Sequence, residues 1–193
     1  MRRLVAAFAF VLCAGLCAPR DAIAADANDR QLQVEAAFLV NFVRYTDWPP
    51  RRLGPPGAPY IVSVIGSGDD ASDMAAVAAA AGFIGGRRIE VRRVAPASLS
   101  NRAAAAGVLQ ASHVVFVRED SGVRIATVRR LLGAAPVLTV GDSTGFAAAG
   151  GMLGLVRVQQ HLAFEANPDE IRSAGLMVSA KVLKLARIRR TAP

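Results

Sequence analysis

Gly141-Asp142-Ser143-Thr144-Gly145 spells G-x-S-x-G directly after an apolar run, where an α/β-hydrolase sets its nucleophile on a sharp strand-to-helix turn. The chemistry would be acyl transfer by Ser143, which needs an acid and then a histidine further along the chain. That order fails here. His161 precedes Glu165, no later residue is histidine, and His113 lies upstream. The run Phe146 to Gly151 is also too short for the helix that backs such an elbow, so the motif reads as a small-residue turn that ends a strand. Gly66-Ser67-Gly68 opens like a dinucleotide fingerprint, but the third glycine is missing and Asp69-Asp70 would repel a pyrophosphate. It reads as a tight turn before a helix; a small-ligand-binding protein using this turn is the alternative function. Two histidines and scattered carboxylates show no zinc or calcium spacing. No catalytic residue, metal or cofactor is expected.

The elements that would position these groups follow from periodicity. Between Asp29 and Tyr45, Leu32, Ala36, Leu39 and Phe42-Val43 recur on one helical face, and Trp48-Pro49-Pro50 stops the helix. Residues 51–59, rich in proline and glycine, form a connection. Strand-like runs at Tyr60–Ile65, Arg88–Val94, His113–Val117 and Val137–Val140 alternate with helical stretches at Ala71–Ala81, Leu99–Leu109 and Val123–Leu132. The short strands are apolar without alternation, as strands covered on both faces are. The spacing predicts a single-domain α/β fold, an αβα sandwich with a mostly parallel sheet. Met152–Val158 and His161–Ala166 predict a C-terminal antiparallel hairpin at the sheet edge, with His161 and Glu165 on one face. Asn167-Pro168-Asp169-Glu170 predicts a capped helix start, and a final helix is expected after Gly175, with Leu176, Val182-Leu183 and Ala186 inward.

Arg2-Arg3, an apolar run from Leu4 to Ala18 and the small residues of Ala22-Ile23-Ala24 read as a secretory signal over residues 1–24, leaving a domain of residues 25–193. The run is too short for a permanent span. Both cysteines, Cys13 and Cys17, leave with it, so the exported fold has no disulfide. Three arginines and one aspartate are also removed, so 23 basic and 15 acidic residues become 20 and 14, a net +6. The basic residues come as pairs, Arg51-Arg52, Arg87-Arg88, Arg92-Arg93 and Arg129-Arg130, without a sustained stripe or interleaved aromatics. Nucleic-acid binding is not expected.

Val34–Pro49, containing N-F-x-x-Y-x-x-W-P, then Ile61–Gly66, Val137–Asp142 with Gly145-Phe146, Gly150-Gly151-Met152 and Phe164-Glu165-Ala166-Asn167 occur in one order across the domain. Together they resemble the YfiR/HmsC family of periplasmic regulators. The resemblance implies an α/β sandwich and a non-enzymatic homodimer in the periplasm. It also implies repression of an inner-membrane diguanylate cyclase, through contact with the cyclase's periplasmic domain, and release by an OmpA-like outer-membrane lipoprotein. Cyclic-di-GMP signalling and biofilm regulation would follow. Onto this chain the resemblance carries a partner-binding surface at Glu165 and Ile171, with Phe164 and Met152 beside them; an exposed apolar patch with one acid would suit a reversible interface, while Ile171, one turn into a capped helix, reads equally as core. It further implies that Asn41, Tyr45 and Trp48 fix the first helix to the sheet. Relatives carry cysteine pairs that the exported chain lacks, so redox control by disulfide is not expected.

Overall fold

The chain is described by a computed structural model over residues 20–66, 68, 70–159 and 161–191, with side chains from residue 30 onward. Most of the predicted signal segment, residues 1–19, lies outside the described residues. The first helix, α1, runs Arg20–Arg44, starting earlier than the periodicity suggests. Its apolar stripe is as expected: Leu32, Ala36, Leu39, Phe42 and Val43 are buried. Then follow β1 (Thr46–Asp47), β2 (Tyr60–Ile65), α2 (Asp70–Ala80), β3 (Ile89–Val94), α3 (Arg102–Gln110), β4 (Val114–Val117), α4 (Ile125–Leu132) and β5 (Leu138–Gly141). The stretch expected as one helix from Leu99 is divided: a 3-10 turn covers Pro96–Ser100, and Asn101 caps α3 by accepting from the Ala104 N–H.

These elements wind into a seven-stranded sheet ordered β3-β2-β4-β5-β6-β7-β9, where β6 is Leu153–Val158, β7 is His161–Ala166 and β9 is Arg187–Ile188. The pairs from β3 through β6 are parallel, and β6 with β7 is the antiparallel hairpin. Helices α1 and α2 cover one face and α3 and α4 the other. In β4, Val114 and Phe116 join the core under α1 and α2, whereas Val115 and Val117 join the core under α3 and α4. Both faces are dry, which is why the strands read as unbroken apolar runs.

The C-terminus departs from expectation in two ways. The capped helix α5 forms at Pro168–Ser173, but no long helix follows Gly175. Gly175 takes φ +69, Met177–Val178 becomes β8 antiparallel to β1, and Ser179 caps a single new turn, α6 (Ala180–Leu183). The chain then returns as β9, parallel to β7. The hairpin is therefore not the sheet edge. An uncovered β7 would present open backbone groups, and β9 takes them, with the Arg189 N–H donating to the Ala166 carbonyl at 2.7 Å. The connection at 51–59 is pinned by Arg87, which donates to the carbonyls of Leu53, Gly54, Pro55 and Ala58.

After β5 the chain folds the Phe146 ring back between Gly141 and Gly151. A Cβ at either glycine would fall inside that ring. Phe146 is 2% exposed and joins the core beneath α4. Truncating Phe146→Ala should cost about 3–5 kcal/mol, and Gly141→Ala should cost about 1–3 kcal/mol or more by overpacking. In urea unfolding the two effects should be coupled, Gly141→Ala costing clearly less in the Phe146→Ala background. Simple additivity would contradict this packing.

Candidate functional site

In a doubly wound sheet, ligands bind outside the carboxyl ends of the strands where the winding reverses. Here β2 to β3 winds one way and β4 to β5 the other, so the reversal lies between β2 and β4. Gly66 follows β2, Arg118 follows β4 and Asp142 follows β5. The two glycine-containing motifs singled out from the sequence thus come together at one crevice.

The crevice is filled by the protein's own arginine. The Arg118 side chain is only 10% exposed and is surrounded by carboxylates. Its Nη1 donates to Glu35 Oε2 and lies 3.3 Å from Asp142 Oδ2. Its Nε is 3.1 Å from Asp70 Oδ2, an ion pair without a well-aligned hydrogen bond, and 3.9 Å from Asp120 Oδ1. A Cβ at position 66 would sit 3.1 Å from Arg118 Cγ, so glycine there lets the side chain pass. The network continues outward: Gln31 Nε2 donates to Glu35 Oε1 at 2.7 Å, and Arg157 donates to Gln31 Oε1.

Glu35 and Arg118 were not reached by motif reasoning. Glu35 carries a signal nonetheless. It lies three residues after Leu32 and four before Leu39, on the apolar stripe of α1, and a fully buried carboxylate must have a partner. That partner is 83 residues away.

Burial pushes the Asp142 carboxyl up to about 6; Glu35 adds to the rise, while Arg118 and the Glu119 N–H, which donates to Oδ1 at 2.5 Å, oppose it. Ser143 beside it has no histidine within its end of the sheet. His113 precedes β4, at the opposite ends of the parallel strands, where Nδ1 accepts from the Ile61 N–H at 3.0 Å. His161 is exposed at the hairpin. Among the described residues no cluster of histidine, cysteine and carboxylate side chains suits a metal ion.

His113 belongs to a separate cluster. Its ring meets Trp48 and Tyr60 edge-on at 5.7 and 5.3 Å, and Trp48 Nε1 donates to the His113 carbonyl at 3.3 Å. Burial, with the Arg52 and Arg87 charges, lowers the imidazole to about 4. Trp48 thus locks the loop after α1 to the sheet as expected, but Asn41 and Tyr45 are exposed. Tyr45 contributes through its backbone, its carbonyl accepting from the Ser179 N–H.

Of the residues expected at a partner surface, none lies on an exposed apolar patch: Met152, Phe164, Glu165 and Ile171 are all buried. Phe164 packs edge-on against Phe42 at 5.2 Å and Phe38 at 6.0 Å beneath α1. Ile171 and Met152 belong to the same core as Leu176, Val178 and Val182. Glu165 accepts from Arg189 Nε at 2.8 Å, tying down the segment beyond β9. The alternation that puts Glu165 on the face of His161 is right, but β9 covers the acid.

The YfiR/HmsC-like family matches residues 32–187, which include β1 to β8, the first residue of β9, the Glu35–Arg118 pair and the Trp48–His113 cluster. The chain belongs to this family. The family is one of regulators of cyclic-di-GMP signalling. No curated protein matches the chain. The fold is shared with solved structures, two among them from Vibrio cholerae and Streptococcus pneumonia. One is a conserved domain protein from Vibrio cholerae, with 12% identity, TM-score 0.55 and 82% of this chain covered. The other is an ABC domain in complex with L-Trp from Streptococcus pneumonia, with 16% identity, TM-score 0.54 and 78% covered. The chain spans 60% of the length of each.

The two shifted groups act on stability in opposite directions. His113, held below its unfolded value, contributes stability that is present above pH 6.5 and is lost as pH falls toward 4. Asp142, held above its unfolded value, favours the fold below pH 3.8 and ceases to do so as pH rises through about 6. Asp142→Asn should therefore raise stability over the parent above pH 6, by an amount of the order of 2–3 kcal/mol, with the gain vanishing near pH 4. His113→Gln should flatten the loss below pH 6.5. Urea midpoints across this range test both; a gain from Asp142→Asn that is independent of pH would contradict the assignment.

Proposed function

We propose that this protein is a periplasmic repressor that holds an inner-membrane diguanylate cyclase inactive by contact with its periplasmic domain. An OmpA-like outer-membrane lipoprotein would release it, and it would act as a homodimer without a cofactor. The observation that carries the reading is the family match over residues 32–187, supported by a switch-point crevice occupied by Arg118, which leaves Ser143 without a base and the Gly66 turn packed against a side chain. The function then falls to surfaces. Among the described residues no helix is long and apolar enough to cross a membrane.

Partner contact at Met152, Phe164, Glu165 and Ile171 takes a different form from direct exposure. Ile171 and Glu165 tie down the segment 176–191, the first by accepting from the Leu176 N–H and the second from Arg189, and that segment presents Met177, Leu185 and Ile188 outward, with Leu185 77% exposed. We place the contact on this strap, with Glu165 holding it through Arg189. Burial of such apolar side chains would supply affinity, and the surrounding Lys181, Lys184 and Arg187 would select the partner.

Deleting the gene should raise cellular cyclic-di-GMP, and a full-length copy should reverse the rise while a copy lacking residues 1–24 should not. No change with the cognate cyclase expressed would overturn the repressor reading. The strap makes a second prediction. Leu185→Glu should leave the urea midpoint within about 0.5 kcal/mol of the parent, since the site is exposed, yet derepress the cyclase. Full repression by this variant would remove the strap from the contact.

A further inference from the structure

Two arginine pairs distant in sequence, Arg51-Arg52 and Arg129-Arg130, are brought to one groove by the fold. The groove has two halves, of about 640 and 470 Å³. Arg124, Arg129 and Arg130 of the α4 region line the larger, and Arg51 and Arg52 line the smaller. The halves share Ala134, Ser173 and Ala174, so they run as one open channel between the α4–β5 connection and the end of α5.

Five guanidinium groups face this channel against one carboxylate, Glu170, which is already paired with Arg129 at 2.9 Å. Among the described residues Arg51, Arg124 and Arg130 have no acidic partner. The α4 dipole accounts for Arg129 and Arg130 in its last turn. It does not account for Arg51 and Arg52, which arrive from the loop after β1. Arg52 is anchored, donating to the carbonyls of Gln110 and Ser112, and its Nε is a buried donor with no acceptor. Gly150, at φ +97, is needed for the same wall, because a Cβ there would strike the Arg129 guanidinium. A cleft lined by one sign of charge concentrates ligands of the other.

We infer that this groove binds an extended acidic peptide segment of a partner protein. Arginine forks recognise carboxylates, and the small apolar floor of Ala134, Pro136 and Ala174 admits a backbone with interspersed apolar side chains. No aromatic side chain lines either half, which removes the stacking platform that sugars or bases would use. Met152 also lines the larger half, and Glu170, Ser173 and Ala174 flank Ile171 in sequence, so the groove adjoins the region implied for partner contact. The inference deepens the repressor reading by giving the chemistry of the partner's segment, and rests on that reading for the partner itself.

The test uses purified protein and fluorescence anisotropy of a labelled glutamate-rich peptide carrying two leucines. The parent should bind, more weakly as salt rises, and Arg124→Glu/Arg130→Glu should weaken binding by about tenfold or more. The control Arg92→Glu/Arg93→Glu, on β3 at the far edge of the sheet, makes the same change in net charge and should retain binding. Equal loss in both variants, or no binding by the parent, overturns the inference. Tighter binding of oligogalacturonate than of the peptide overturns it in favour of an acidic polysaccharide. The cyclase is absent from this assay, so its outcome is separate from that of the cyclic-di-GMP experiment.

Discussion

The buried pair between Glu35 and Arg118 is the constraint on which the upper half of this structure depends. Taking both charges out of water costs several kcal/mol per ion, and their attraction returns that cost only where geometry is good and the remaining valences are met. Here Gln31 donates to Glu35, and Asp70 and Asp142 bring their charges to 3.1 and 3.3 Å from the guanidinium, from the start of α2 and the turn after β5, with Nε left without an aligned hydrogen bond. The consequence is positional. Sliding α1 by one turn along the sheet would leave a bare carboxylate in a dry core and a bare guanidinium in the crevice. The same apolar stripe on α1 would tolerate such a slide far better without Glu35, because a Leu, Ala and Phe face packs against an apolar sheet with little preference for register.

This arrangement also redirects function. The crevice at which this topology usually receives a ligand is closed by a side chain that cannot be withdrawn cheaply. At the other ends of the strands, Trp48, Tyr60 and His113 form a second plug, in which the imidazole is kept neutral and accepts from the Ile61 N–H. Outside these two clusters lie the strap from Leu176 onward, where the partner contact is proposed, and the arginine groove beside α4. Both suit a protein that works by touching other proteins.

Several family blocks acquire a physical meaning in this setting. Gly141, Phe146 and Gly151 are one packing unit, a ring held between two positions that lack a Cβ. Asn167 caps α5 through Oδ1 while its amide donates to the Ala147 carbonyl at 3.1 Å, joining the start of α5 to the turn that carries Phe146. Trp48 ties the loop after α1 to the sheet through the His113 carbonyl. The acid of the F-E-x-N block is a tether for the C-terminal segment, held through Arg189.

The layered architecture, the parallel strands, the capped α5 and the inward face of α1 were legible in the sequence, because apolar periodicity and capping residues act over a few positions and the chain carries them locally. That no histidine follows the G-x-S-x-G run in hydrolase order was legible there too. What the tertiary structure decided was everything set by distant partners. The helix expected after Gly175 gave way to β8, one helical turn and β9, because Thr46–Asp47 and β7 offered open backbone edges that local propensity does not register. Glu165 and Ile171 were placed beneath the surface by segments that come later in the chain. Glu35 met Arg118, and Arg51-Arg52 met Arg129-Arg130, only when the sheet had wound. Charges act through space, and a one-dimensional pattern holds their signs without their distances.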